Sequence, residues 1–257
     1  MTSVDAICPE SAEDRLERAL RLAGTYGSPE QMIGVMKEKT LHSVLKFFVD
    51  PDPGHHEIKV GPYFADVISG GRIYEIQTGS LSALRKKIAF FLSSGIPVTV
   101  VKPVPAEKRL AWVSDTGEVS NPRKTRGQTV SSVLPEVYYI KEFTDDPGFS
   151  LNVLSLRVCE YRLLDGWSRD KKKGSHRDNR VPEEIIGSID LKDKAEYNKL
   201  IPYPLPEKFT SEEFGKAARL QGRKLSFSLV TLRDLGLIRV CEKKGNKNVY
   251  EIVSENP

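Results

Sequence analysis

Cysteine is nearly absent from this chain. Cys8, Cys159 and Cys241 are the only three among 257 residues, and their scatter, without paired spacing, argues against both a disulfide framework and a cysteine-based zinc site. A reducing cytoplasm is the compartment this composition predicts. Long apolar runs are missing as well. Nothing approaches the ~20 residues that a membrane-spanning helix needs, and the opening "MTSVDAICPESAEDRLER" has no basic stretch leading into an apolar core, so neither a signal leader nor a membrane partner is expected. Charge of one sign is not in large excess: 39 basic residues stand against 35 acidic ones, a net charge of +4, and that total alone does not call for nucleic acid. Histidine and aspartate clusters are scarce. His55 and His56 sit in a turn-rich stretch without a His or Cys partner at ligand spacing, and Asp50-Pro51-Asp52 lacks the remaining ligands of a calcium loop. No internal repeat and no long low-complexity stretch occurs. The length is ample for a core, in one large domain or two small ones.

What the chain does have is periodicity. Leu16, Ala19, Leu20 and Ala23 follow a Ser-x-x-Asp start and predict an amphipathic helix over Ser11 to Ala23. A second helix is expected from about Pro29 to Phe48, with Leu41, Val44, Leu45 and Phe48 as its apolar stripe and Glu38 on the inward side. After the break "VDPDPGHHE" come three alternating segments, "EIKVG", "YFADVIS" and "RIYEIQT", which read as strands. "SLSALRKKIAFFLSSG" predicts a helix with Ser80 as cap and Gly95 as stop, Arg85, Lys86 and Lys87 lying mostly off its apolar face. "IPVTVVKPV" predicts a buried strand and "RLAWVS" another. This order suggests an α/β layer on a mixed sheet. "EVYYIKEF" and "SLNVLSLRVCEYRLL" are open between strand and short helix.

Two carboxylates stand out in "YFADVISGGRIYEIQTG". If Gly70-Gly71 form a two-residue turn, Ser69 faces Arg72, Ile68 faces Ile73 and Asp66 faces Glu75, with Gln77 two residues further on the same side. Like charges opposed on a sheet are destabilising. In a half-buried setting the conflict is relieved when one carboxyl takes up a proton or when a cation lies between them, and hard oxygen ligands favour Mg²⁺ or Mn²⁺.

The order Glu38 on a helix, Asp66 on a strand and Glu75-Ile76-Gln77 on the next, followed by a helix and a buried strand, resembles the PD-(D/E)XK nuclease superfamily over roughly Gln31 to Val104. That resemblance implies a restriction-endonuclease-like mixed β-sheet flanked by helices, an α/β (α+β) fold, with Glu38, Asp66 and Glu75 as ligands of Mg²⁺ (or Mn²⁺) and as catalytic residues together with Gln77. The family's third motif position is usually Lys. Here it is Gln77, and Ala65 replaces the Pro before the Asp; some active members carry Gln there, but an amide supplies neither a cation nor a general base. Glu38 has a plainer alternative, as a helix-edge acid paired with Lys39 or His42. For His42 the simpler expectation is a satisfied helix histidine.

"DGWSRDKKKGSHRDNR" contains six Lys or Arg against three Asp, a balance of +3. Its bland reading is a solvated loop; its functional one is a phosphate-binding segment using Trp167, Arg169, Lys171, Lys172, Lys173, His176, Arg177 and Arg180. The last fifty residues read as helix, helix and β-hairpin, and resemble a small C-terminal winged helix. That resemblance implies duplex DNA as partner, with Arg223, Lys224, Ser226 and Phe227 on the recognition helix and Lys243, Lys244 and Lys247 on the wing; winged helices also serve as protein-binding modules. The expected organisation is therefore a helical segment over 1–30, a nuclease-like domain over 31–164, a basic connecting segment over 165–206 and a winged helix over 207–257. The function expected is metal-dependent DNA hydrolysis, the alternative a catalytically inactive DNA-binding or regulatory protein. Duplex cleavage often uses two active sites, so a homodimer is a natural form.

Overall fold

The computed structural model describes residues 10–24, 40–114, 116–164 and 176–253, with backbone alone for 176–178. Helix α1 (Ala12–Leu22) starts at Ser11, whose side chain accepts the Asp14 N–H; Glu13 and Asp14 occupy its positive first turn. Its buried Leu16 and Ala19 pack with Leu41, Val44, Leu45 and Phe48 of α2 (Thr40–Val49). The earlier part of the expected second helix, Glu38 included, lies outside the described residues.

These helices cover one face of a large mixed sheet. Its strands are β1 (His56–Val60), β2 (Tyr63–Ser69), β3 (Arg72–Ile76), β4 (Val98–Val113), β5 (Arg123–Thr125), β6 (Phe149–Leu163) and β7 (His176–Leu191), in the spatial order β1-β2-β3-β4-β6-β7, with β5 on β4. The first three form an antiparallel meander. β3, β4 and β6 are parallel, and β7 closes antiparallel on β6. Helix α3 (Arg85–Ser93) crosses from β3 to β4 and buries Ile88 and Phe91 on the opposite face. Ser80 caps a single 3₁₀ turn ahead of α3, not the helix itself, and Gly95 follows at φ +73°.

Two expectations need correction. "RLAWVS" is no separate strand, because β4 runs unbroken for 16 residues. β3 ends opposite Val101 and β5 joins only at Lys108, so Pro103 and Pro105, which have no N–H to give, lie where β4 has no strand on that side. The expected connecting segment 165–206 contains β7, which lies at the sheet's edge and leaves Glu184, Ser188 and Asp190 exposed. Of the two ambiguous stretches, the first is helical, with α4 (Leu134–Val137) and a 3₁₀ turn at Lys141–Phe143, and the second is β6.

The C-terminal unit comprises β8 (Lys208–Thr210), α5 (Ser211–Ala218), α6 (Gly222–Asp234), β9 (Ile238–Lys244) and β10 (Lys247–Ile252), its strands ordered β8-β10-β9. Thr210 and Glu213 form a reciprocal capping box on α5. The unit is fused to the sheet domain by one continuous core in which Phe209, Phe214, Leu229 and Leu232 join the residues under α3 and α4. α6 docks on α4: Thr231 Oγ1 donates to the Leu134 carbonyl at 3.2 Å, and Phe227 stacks on Tyr138 at 4.8 Å between centroids. Among the described residues no helix is long and apolar enough to cross a membrane.

Candidate functional site

Gly70 and Gly71, at φ +58° and +75°, make the two-residue turn that only glycine enters cheaply in succession. The register that follows is Ser69 opposite Arg72, Ile68 opposite Ile73 and Val67 opposite Tyr74. The ladder pairing ends there. The next two residues are Asp66 and Glu75, and each carboxylate takes a main-chain N–H: Asp66 N–H donates to Glu75 Oε1 at 3.3 Å, and Ile76 N–H donates to Asp66 Oδ2 at 2.8 Å. The two acids are thus built into the hairpin, and Glu75 is only 1% exposed.

Two further groups converge on them. His42, from α2, places Nε2 3.1 Å from Asp66 Oδ2. Lys87, from α3, donates from Nζ to Glu75 Oε2 at 2.5 Å. Burial and then the neighbouring Asp66 charge push Glu75 up to about 7, against the pull of Lys87. Burial also works to raise Asp66, but the hydrogen bond and charge of His42, the Ile76 N–H and Lys87 together hold it below the usual aspartate value. Two carboxyls side by side are therefore driven to different protonation behaviour.

This split has a measurable consequence. A carboxyl with a raised native pKa binds its proton more tightly when folded, so Glu75 contributes stability that is fully present below about pH 4.5 and is lost as pH rises through about 7. Asp66 has the opposite sign, and its contribution is lost only as pH falls through its lowered native value. Between these limits the melting temperature of the wild type is expected to fall relative to that of Glu75→Gln, which has no proton to lose. Parallel thermal melts of both across the window check it, and equal slopes would remove Glu75 as the titrating group.

The sequence model of a domain of unknown function, DUF8091, matches residues 39–192, more than half of the chain. The chain belongs to the DUF8091 family. No curated protein and no solved structure gives a significant match. The DUF8091 region takes in α2 and the whole large sheet, so His42, Asp66, Glu75 and Lys87 all lie within it.

Other candidate residues are placed less centrally. Gln77 turns its side chain to its own loop, where Oε1 accepts the Gly79 N–H at 3.1 Å. Glu38, Trp167, Arg169, Lys171, Lys172 and Lys173 lie outside the described residues, and His176 and Arg177 are described only as the backbone opening β7. Arg180 contributes to a charge cluster inside the DUF8091 region: Glu160, 1% exposed, accepts from Arg180 and Lys108 at 3.2 Å each and pairs with Arg162 at 2.9 Å. Arg223 and Lys224 are exposed on the first turn of α6, and Lys243, Lys244 and Lys247 are exposed on the β9–β10 hairpin. Lys244 and Lys247 have carboxylates of Glu242 and Glu212 at 3.6 and 3.3 Å, surface pairs of little energetic weight. Among the described residues no three His, Cys, Asp or Glu side chains form a group able to hold a metal.

Lys87 is the residue that sequence reasoning passed over. Its signal was its spacing, three after Leu84 and four before Phe91, both buried, which turns it inward although it stands in a basic triplet.

Proposed function

We propose that the DUF8091 region of this chain hydrolyses phosphodiester bonds of DNA with a divalent cation, and that the C-terminal unit is a winged helix that positions the duplex. The observation that carries this reading is the pairing of Asp66 with Glu75 at the end of the β2–β3 register, with a lysine on Glu75. A mixed sheet with an antiparallel meander leading into a helical crossover and parallel strands supports a restriction-endonuclease-like fold. The order strand, helix, helix, β-hairpin supports the winged helix.

The donor set suits Mg²⁺ or Mn²⁺ in kind, since both acids offer hard oxygens at one point. Asp66 and Glu75 would hold the cation, with Glu38 the third carboxylate that the resemblance implies. A cation there supplies Lewis acidity toward water and the scissile phosphate. His42 orients Asp66 and keeps it ionised. Lys87 brings the positive charge that Gln77 does not have, and so stands in for the lysine usual at that motif position.

A second reading, an inactive DNA-binding or regulatory protein, has its own support in the Lys87–Glu75 pair, which neutralises a carboxylate that a cation would need, and in the engagement of Gln77 with Gly79. Plasmid cleavage with Mg²⁺ or Mn²⁺ separates the two readings. DNA binding is common to both and has a distinct test. α6 is covered by α4 along one side, which leaves its first turn, with Arg223 and Lys224, and the hairpin lysines to meet DNA. Affinity for duplex DNA is expected to fall with salt, and Lys243→Gln and Lys244→Gln are each expected to lower the slope of log K against log salt by about 0.9. Fluorescence titrations at several salt concentrations check it; a slope unchanged in the double variant would remove the hairpin from the DNA surface.

A further inference from the structure

Tyr74, the residue before Glu75, lies on the other face of β3, toward α1 and α2. That face carries a cavity of about 640 Å³ between the sheet and the helices. Its floor is polar. Arg72 extends from the glycine turn across β4 and β6, and its Nη1 donates to Thr99 Oγ1 at 3.1 Å and to Gly148 O and Ser150 Oγ at 3.4 Å each. All three acceptors are neutral. Among the described residues this half-buried guanidinium has no carboxylate partner, although a guanidinium is a fork shaped for carboxylate or phosphate.

The walls add charge of the same sign. Arg15 of α1 reaches the cavity, held by the Phe48 carbonyl at 2.8 Å and by the Phe48 ring at 4.4 Å, and Lys192 stands beyond the end of β7. The lining contains one carboxylate, Asp190, and its Oδ1 already accepts from the Asn152 amide at 2.6 Å. Three bases against one acid leave +2 around a cavity that also presents the Tyr74 ring and the partly buried Ile185. Its size falls within the range of small-molecule sites.

We propose that this cavity binds a small organic anion, with a carboxylate or phosphate head on Arg72 and Lys192 and an apolar body against Tyr74 and Ile185. The site is separate from the acids on the opposite face of β3, and it stands or falls independently of the nuclease reading. Nothing in it requires DNA or a divalent cation.

The test is thermal stabilisation and calorimetry of the full chain without divalent cation. The probes are inorganic phosphate, a nucleoside monophosphate and succinate, each against sodium chloride of equal ionic strength. At least one organic probe is expected to raise the melting temperature above the chloride control, by the linkage of binding to folding, and the head group that does so distinguishes phosphate from carboxylate. Arg72→Gln is expected to weaken that binding at least about tenfold, a loss of ~1.4 kcal/mol. Lys192→Gln, an exposed change at the rim that leaves the fold intact, should weaken it in the same direction. No stabilisation by any probe, or equal stabilisation of the wild type and Lys192→Gln, would overturn the proposal.

Discussion

Glu75→Gln is expected to reduce divalent-cation-dependent cleavage of plasmid DNA by at least about a hundredfold, ~2.7 kcal/mol of transition-state stabilisation. The substitution keeps shape and the acceptor for the Asp66 N–H, but removes the charge that a cation and Lys87 both require. Lys87→Gln should also lose most activity, because the lysine brings the positive charge that faces Glu75. Gln77→Ala should leave the rate within the same order of magnitude, since its amide serves Gly79. Nicking assays, with melting curves to establish that each variant is folded, read all three. A wild type that neither cuts nor binds Mg²⁺ or Mn²⁺ removes the enzymatic reading and leaves the regulatory one. A wild type that cuts, together with a Glu75→Gln variant that cuts equally well, places the chemistry elsewhere.

Gly127→Ala is expected to destabilise the fold by about 3 kcal/mol or more. A Cβ at this position would lie 1.9 Å from the Ala106 carbonyl oxygen, 2.6 Å from its carbon and 3.0 Å from the Pro105 carbonyl oxygen. These are backbone atoms and have no rotamer to yield. They belong to β4 where its register against β6 shifts, between Pro105 and Glu107, and the Gln128 N–H donates to the Pro105 carbonyl at 2.9 Å. Relief therefore requires either moving the central strand or giving up the hydrogen bond that holds the loop to it. Gly187→Ala on β7 is the matched control. Its Cβ would meet nothing within 4 Å and its φ is ordinary, so the change should be close to neutral. Urea unfolding of both variants measures the contrast, and similar midpoints would mean that the 127–128 loop yields at little cost.

Much of the architecture is legible in local pattern. The alternation on either side of Gly70-Gly71 specifies the hairpin register, because the turn allows only a narrow set of backbone angles and a one-residue slip would send Val67 and Ile73 to the wrong faces. The stripes of α1 and α2 are equally plain. β7 was less so: an edge strand buries one side at most, tolerates Pro182, and closely resembles a charged connector in composition. The continuity of β4 was hidden because whether a proline interrupts a strand depends on what lies beside it, and the sequence does not state where β3 ends.

The same division runs through the site. Sequence alone determined that Asp66 and Glu75 are neighbours, since they are tied by a two-residue turn and a period of two. That His42 reaches Asp66, that Lys87 rather than Gln77 contacts Glu75, and that Arg72 lies over neutral acceptors in a cavity were decided only by the tertiary structure. Those contacts join elements whose relative placement follows from packing across both faces of the sheet, and packing depends on all the residues of the core together.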